Sequence, residues 1–190
     1  MKNHFTFILM AMLLVWSATT AQAQSPARIS DADASFLLQK TIGNWLVDKS
    51  SWQADTRQML TVPGRAIFKP SSTDVSVHEQ YEFTAADGTL QQEAGCLRFS
   101  KTRHQFEFYK TNGATGKETL LFTGSWYPEF NTIMLTAVTS GNSKHANPDQ
   151  WRYVFQNNGA FTKLVYKADK KGNMLLSDQY HHTPNRTAEL

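Results

Sequence analysis

The chain holds a single cysteine, Cys96. No internal disulfide can staple it, so its stability has to come from a packed core. Surplus charge is also scarce: 19 Lys and Arg against 16 Asp and Glu give a formal net charge of +3. The basic residues are scattered singly, as at Lys101, Arg103, Lys110, Lys117 and Lys163. Their one concentration, Lys167-Ala-Asp-Lys170-Lys171, precedes Gly172-Asn173 and reads as a solvated hairpin tip. Nucleic-acid binding would need a basic stripe with aromatics placed to stack, so nucleic acid is not an expected partner. Catalytic signatures are missing too. There is no G-x-S-x-G elbow, no glycine-rich phosphate loop before a helix, and no HExxH or H-x-H spacing for zinc. Beyond the first 23 residues no segment is apolar enough to cross ~30 Å of hydrocarbon, which takes about 20 residues.

What is present begins with an export signal. Lys2 supplies a positive end, Phe5–Trp16 an apolar stretch too short to span a bilayer, and Ala21-Gln22-Ala23 the small residues a signal peptidase reads. Cleavage after Ala23 is expected, with no cysteine at that point to take a lipid. This implies an exported protein, periplasmic or extracellular, without a stable membrane anchor. The remaining chain is one domain in size and can bury about 70% of the surface its unfolded form exposes. Its neighbours alternate around Cys96 as in a strand, which makes that thiol a buried, inert one.

Residues 24–42 read as a linker and a short helix. Ser30-Asp31-Ala32-Asp33 offers a capping side chain and first-turn acids that favour the amide dipoles. Phe36, Leu37 and Ile42 give the helix an apolar side, and Gly43 ends it. From Gly43 to about residue 184 the pattern becomes short alternating strands closed by tight turns. The first runs from Trp45 towards Trp52, and the second is expected around Arg65–Lys69, begun by Pro63-Gly64. Asp74–Thr84 is the cleanest, with Val75, Val77, Tyr81 and Phe83 on one face. Ala86-Asp87-Gly88, Asn112-Gly113, Asn157-Asn158-Gly159 and Lys171-Gly172-Asn173 mark hairpin turns. Leu120, Phe122 and Trp126 are expected to share a face. Thr139–Asp149 is a long irregular loop, and residues 185–190 form a polar tail. Eight to ten strands in hairpin order predict an all-β, up-and-down antiparallel barrel with a short N-terminal helix, because closure removes exposed edges. A sandwich is the alternative.

This order of features resembles the calycin superfamily, which includes the lipocalins. Gly43-Asn44-Trp45 after a helical lead-in looks like the lipocalin entry motif, whose tryptophan plugs the closed end of the barrel. Tyr81-Glu82-Phe83, the Gly95–Phe99 strand, Gly124-Ser125-Trp126, Trp151-Arg152-Tyr153 and a terminal hairpin of the type Asp169…Gly172…Tyr180 are similar to a family of exported bacterial lipocalin-like domains of unknown function. The resemblance implies a barrel with an interior cavity and assigns no activity. The arginine that lipocalins stack over the plug tryptophan would be Arg152 or Arg186.

Two groups of residues are candidates for a site. Glu79 interrupts the apolar face of Val75, Val77, Tyr81 and Phe83, and an acid inside a barrel needs a partner. It reads as a polar anchor for a ligand, as a structural ion-paired carboxylate, or as part of a face that is not interior at that level. Tyr81, Phe106, Phe108, Trp126, Trp151 and Tyr153 either line an apolar pocket or fill the barrel as core. Related small barrels hold haem through a late histidine, and His182 or His181 is placed similarly. The two point to opposite faces of a strand, so they cannot ligate one internal metal together.

The leading expectation is an exported barrel that binds a small apolar molecule in its interior, without a cofactor and leaning away from an enzyme. One alternative is a haem-binding or enzymatic barrel using His182 or Glu79. Another is a filled barrel acting as a structural or interaction module, marked by an exposed apolar patch.

Overall fold

The computed structural model describes residues 28–72, 74–85, 87–111, 117–138 and 148–185. The expected signal at 1–23, most of the irregular loop, the Asn112-Gly113 turn, and Arg186 with the tail beyond it lie outside them. A helix α1 (Asp31–Gln39) precedes ten strands. These are β1 (Gly43–Gln53), β2 (Gln58–Pro70), β3 (Ser76–Thr84), β4 (Leu90–Ser100), β5 (Gln105–Thr111), β6 (Glu118–Tyr127), β7 (Thr132–Ala137), β8 (Gln150–Phe155), β9 (Phe161–Ala168) and β10 (Met174–Pro184). Each pairs with its sequence neighbours in antiparallel fashion, and β1 closes on β10 from Trp45 opposite Pro184 to Ser51 opposite Asp178. The result is a closed up-and-down barrel, as the hairpin rhythm predicts. Closure pairs the outer edges of the first and last strands, so neither stays open.

The helix begins as expected: the Ser30 hydroxyl oxygen accepts a bond from the Asp33 amide at 3.1 Å. Its buried stripe differs from the expected one. Ala34, Leu37 and Leu38 are buried, at the i, i+3, i+4 spacing of a single face, whereas Phe36 is 59% exposed. Nor does Gly43 end the helix. Lys40 is the C-cap, and Gly43, at φ 144°, opens β1.

Two strands also depart from the sequence reading. β2 starts at Gln58, so Pro63 and Gly64 lie inside it rather than before it. Pro63 is tolerated because the β2–β3 ladder begins only at Gly64, leaving no partner on that side for the missing N–H. In β6 the register shifts: Phe122 faces Phe108, yet Leu120 faces Tyr109. The extra residue of this bulge, Leu121, packs against the core in place of Leu120.

The lower part of the barrel, next to α1, is solid. Trp45 sits there, its indole N–H donating to the Thr41 carbonyl at 2.8 Å. Around it pack Phe68, Phe161 and His182, with Trp45 meeting Phe161 edge-on at 4.9 Å and His182 stacked on Phe161 at 3.9 Å. Leu97, Phe99, Phe106, Ile133, Leu135 and Phe155 complete this core. Edge-to-face rings add about 0.5–1.5 kcal/mol per pair beyond burial of their area. Trp45 is therefore a structural plug. Arg152 does not stack over it; that guanidinium lies over the Tyr166 ring at 4.5 Å.

Glycines let neighbours approach where the wall is tightest. A Cβ on Gly124 would stand 1.8 Å from the Met134 carbonyl oxygen on the adjacent strand, and a backbone atom cannot swing aside. Gly124→Ala is therefore expected to cost at least about 2 kcal/mol, at the upper side of ordinary overpacking. Urea denaturation reads this directly; a variant within 0.5 kcal/mol of the parent, a range usual for surface changes, would contradict the close approach.

Candidate functional site

Above the solid floor, inward-facing positions of β3, β8, β9 and β10 bring polar groups together. Strand alternation places Glu79 between Val77 and Tyr81 on the interior face, as its position predicts, and it is 1% exposed. Its partner comes from β9, where Lys163 stands between Phe161 and Val165 and is 5% exposed. The Lys163 ammonium donates to Glu79 Oε2 at 2.9 Å. The Tyr153 hydroxyl donates to Glu79 Oε1 at 2.7 Å, and the Tyr81 hydroxyl lies 3.4 Å from Oε2. Breaking such a pair by removing one member typically costs about 3–5 kcal/mol, because the other is left charged and unpartnered.

His182 lies beneath this layer and is fully buried. Burial, and then the Lys163 charge, push its imidazole down to about 3. It is therefore neutral. Nδ1 faces the Phe161 carbonyl at 3.3 Å, which can only accept, so Nδ1 carries the proton. Nε2 then accepts from the Tyr81 hydroxyl at 3.2 Å. Burial foremost, and then the Glu79 carboxylate, push the phenols of Tyr81 and Tyr153 well up, so both remain donors. A second layer lies higher in the barrel. Tyr180 donates to Glu93 Oε2 at 2.9 Å, and Lys49 binds the other Glu93 oxygen.

A cavity of about 320 Å³ adjoins these groups. Glu79, Tyr81, Phe108, Trp151 and Lys163 line its inner side, and Gln92, Glu93, Ala94, Lys110 and Leu121 its outer side. Trp151 stacks on Phe122 at 4.1 Å and meets Phe108 edge-on at 4.6 Å. The β4–β5 ladder stops at Cys96 opposite Tyr109, although β4 continues to Leu90 and β5 to Thr111. Gln92 reaches Glu82 on the outer face and also lines the cavity, so the cavity meets the surface through this split.

Of the seven residues singled out as lining, Glu79, Tyr81, Phe108 and Trp151 border the cavity. Tyr153 is buried behind Glu79 and holds it. Phe106 packs against Phe99 in the floor, and the half-buried Trp126 packs against Phe155. Sequence reasoning missed Lys163 and Glu93. Lys163 had a legible signal, since it breaks the face of Phe161 and Val165 as Glu79 breaks that of β3.

A haem iron needs a bare imidazole nitrogen facing open space. Both His182 nitrogens face protein groups, its ring is stacked on Phe161, and it does not border the cavity, so this arrangement does not fit haem. No cluster of three His, Cys, Asp or Glu side chains positioned for a metal occurs among the described residues. Burial raises the Cys96 thiol, which keeps it protonated rather than nucleophilic. No protein-family model matches the chain, and no curated protein matches it.

Two outcomes test this site. Unfolded His182 titrates near 6.5 and the folded residue near 3, so between those values the unfolded chain binds more protons. The stability it contributes is complete above about pH 6.5 and is lost as pH falls toward 3, by about 1.4 kcal/mol per unit. His182→Phe should flatten the difference between denaturation curves at pH 7 and pH 5; equal slopes in both proteins would refute the assignment. For the ion pair, Glu79→Gln and Lys163→Met should each cost about 3–5 kcal/mol, with the double variant recovering most of that loss. Simple additivity in a double-mutant cycle would mean that the two charges do not interact.

Proposed function

We propose that this chain is an exported barrel, of the lipocalin-like kind, that binds a compact small molecule in the cavity beside Lys163. The observation that carries this reading is an open volume next to a buried ion pair, above a close-packed aromatic floor. Core packing favours filling voids, and swapping a buried ion pair for apolar residues is often neutral or stabilising. Keeping both the pair and the space beside it is expected of a site rather than of a scaffold. The volume is near the lower end of small-molecule pockets, and its lining combines aromatic walls with a few convergent polar groups.

The small, mostly apolar ligand suggested by the aromatics is narrowed to one with a polar end, because Glu79 and Lys163 face the same space as Trp151 and Phe108. Binding needs no cofactor. Export rests on Lys2, the apolar stretch and Ala21-Gln22-Ala23, and kinship with calycins rests on the closed barrel and the Trp45 plug. The barrel has ten strands where lipocalins have eight, and the plug lacks a stacked Arg152.

Native mass spectrometry of protein purified without denaturation, together with fluorescent-probe titration, tests the reading. A bound small molecule or saturable probe uptake is expected, and Leu121→Trp, which projects bulk into the cavity, should weaken uptake at least about tenfold, the effect of about 1.4 kcal/mol. A barrel that is empty and takes up no probe would overturn it.

A further inference from the structure

Hydrogen-bonding capacity around the cavity is unevenly satisfied, and the imbalance points to the charge of the occupant. Both acids that border it are occupied. Glu79 receives Lys163 and Tyr153, with Tyr81 close by, and Glu93 receives Lys49 and Tyr180. Neither carboxylate is left seeking a cation. Lys163 is different. An ammonium has three donors, and among the described residues its one hydrogen bond goes to Glu79. The rest of its surroundings are ring faces, with Trp151 at 4.2 Å and Phe108 at 4.8 Å from the nitrogen. Both rings, and the lysine itself, border the cavity.

Cation–π contacts stabilise the ammonium without consuming its N–H groups as a good acceptor would. Lys110 borders the same space from the outer side. The charged residues bordering the cavity are Glu79, Glu93, Lys110 and Lys163, and both carboxylates already hold a lysine, Glu79 holding Lys163 and Glu93 holding Lys49. The unmet demand, at the buried end of the cavity, is for an acceptor facing Lys163. The walls around that lysine are flat aromatic surfaces.

Building on the proposed binding role, we infer that the occupant is a small anion, a carboxylate or chemically equivalent acid on a flat apolar body. The acid accepts from Lys163, and the body lies against Trp151 and Phe108. Lys110 adds long-range attraction at the mouth of the cavity, in the split between β4 and β5. A cationic ligand is disfavoured because each carboxylate at the cavity already holds a lysine, and a cation between them would meet Lys163 and Lys110 as like charges.

Calorimetric titration of the purified protein with 1-naphthoate and with 1-naphthalenemethanol tests this, since the two share a ring system and differ in the charged group. Naphthoate should bind about tenfold tighter or better, the usual worth of a charge-assisted hydrogen bond, and its advantage should shrink at high salt. The double variant Glu79→Gln/Lys163→Met keeps the buried pair neutral and so keeps the fold. It should lose the preference, so that the two compounds bind alike. Lys110→Met should lower naphthoate affinity partially, and by more than it lowers that of the alcohol. Equal affinity for both compounds, or a preference for naphthoate that survives in the double variant, overturns the inference and leaves the binding role standing. Uptake of neither compound also overturns the inference, whereas the binding role falls only if native mass spectrometry and the fluorescent probe are negative too.

Discussion

Glu79 and Lys163 meet at 2.9 Å inside the barrel, with both side chains almost wholly removed from water. Taking each charge out of water costs several kcal/mol, and only the partner together with further hydrogen bonds offsets that cost. The surrounding polar contacts follow from this constraint. Tyr153 is held against one carboxylate oxygen and Tyr81 near the other. Tyr81 in turn donates to His182, which the lysine charge helps to keep neutral. Strands β3, β8, β9 and β10 are therefore tied across the interior by charge as well as by their ladders.

The polar layer also separates two kinds of interior. Below it, rings and aliphatic side chains close-pack around Trp45, and α1 covers the end through Ala34, Leu37 and Leu38. Above it, the β4–β5 ladder ends early and the β6 bulge turns Leu121 toward the cavity. Filled and hollow barrels are usually treated as alternatives for a small β-barrel. This one is both, at different levels.

Several features could be read from local pattern alone. Strict alternation in β3 placed Glu79 inside, because a side chain two residues from Val77 and Tyr81 must share their face. Turn chemistry at Asp87-Gly88 and Asn158-Gly159 marked hairpins, and both glycines have φ of 83°. Lys163 was overlooked although it carried the same signal as Glu79. An acid and a base that each interrupt an apolar strand face are candidates for one another, however far apart in sequence. Leu121 was not legible. A bulge shifts every later residue to the opposite face, and its position depends on how β5 and β6 meet.

Local pattern thus determined the all-β class, the hairpin order, the helical lead-in and the presence of an acid on an apolar strand face, since each depends on alternation or turn residues within a few positions. Tertiary structure decided which residues share a level of the barrel. It brought Lys163 to Glu79 across 84 positions of sequence, placed Phe106 and Trp126 in the floor, and left Tyr81, Phe108 and Trp151 at the cavity. Register and strand tilt set the height of a side chain along the barrel axis, and neither is written in any single strand.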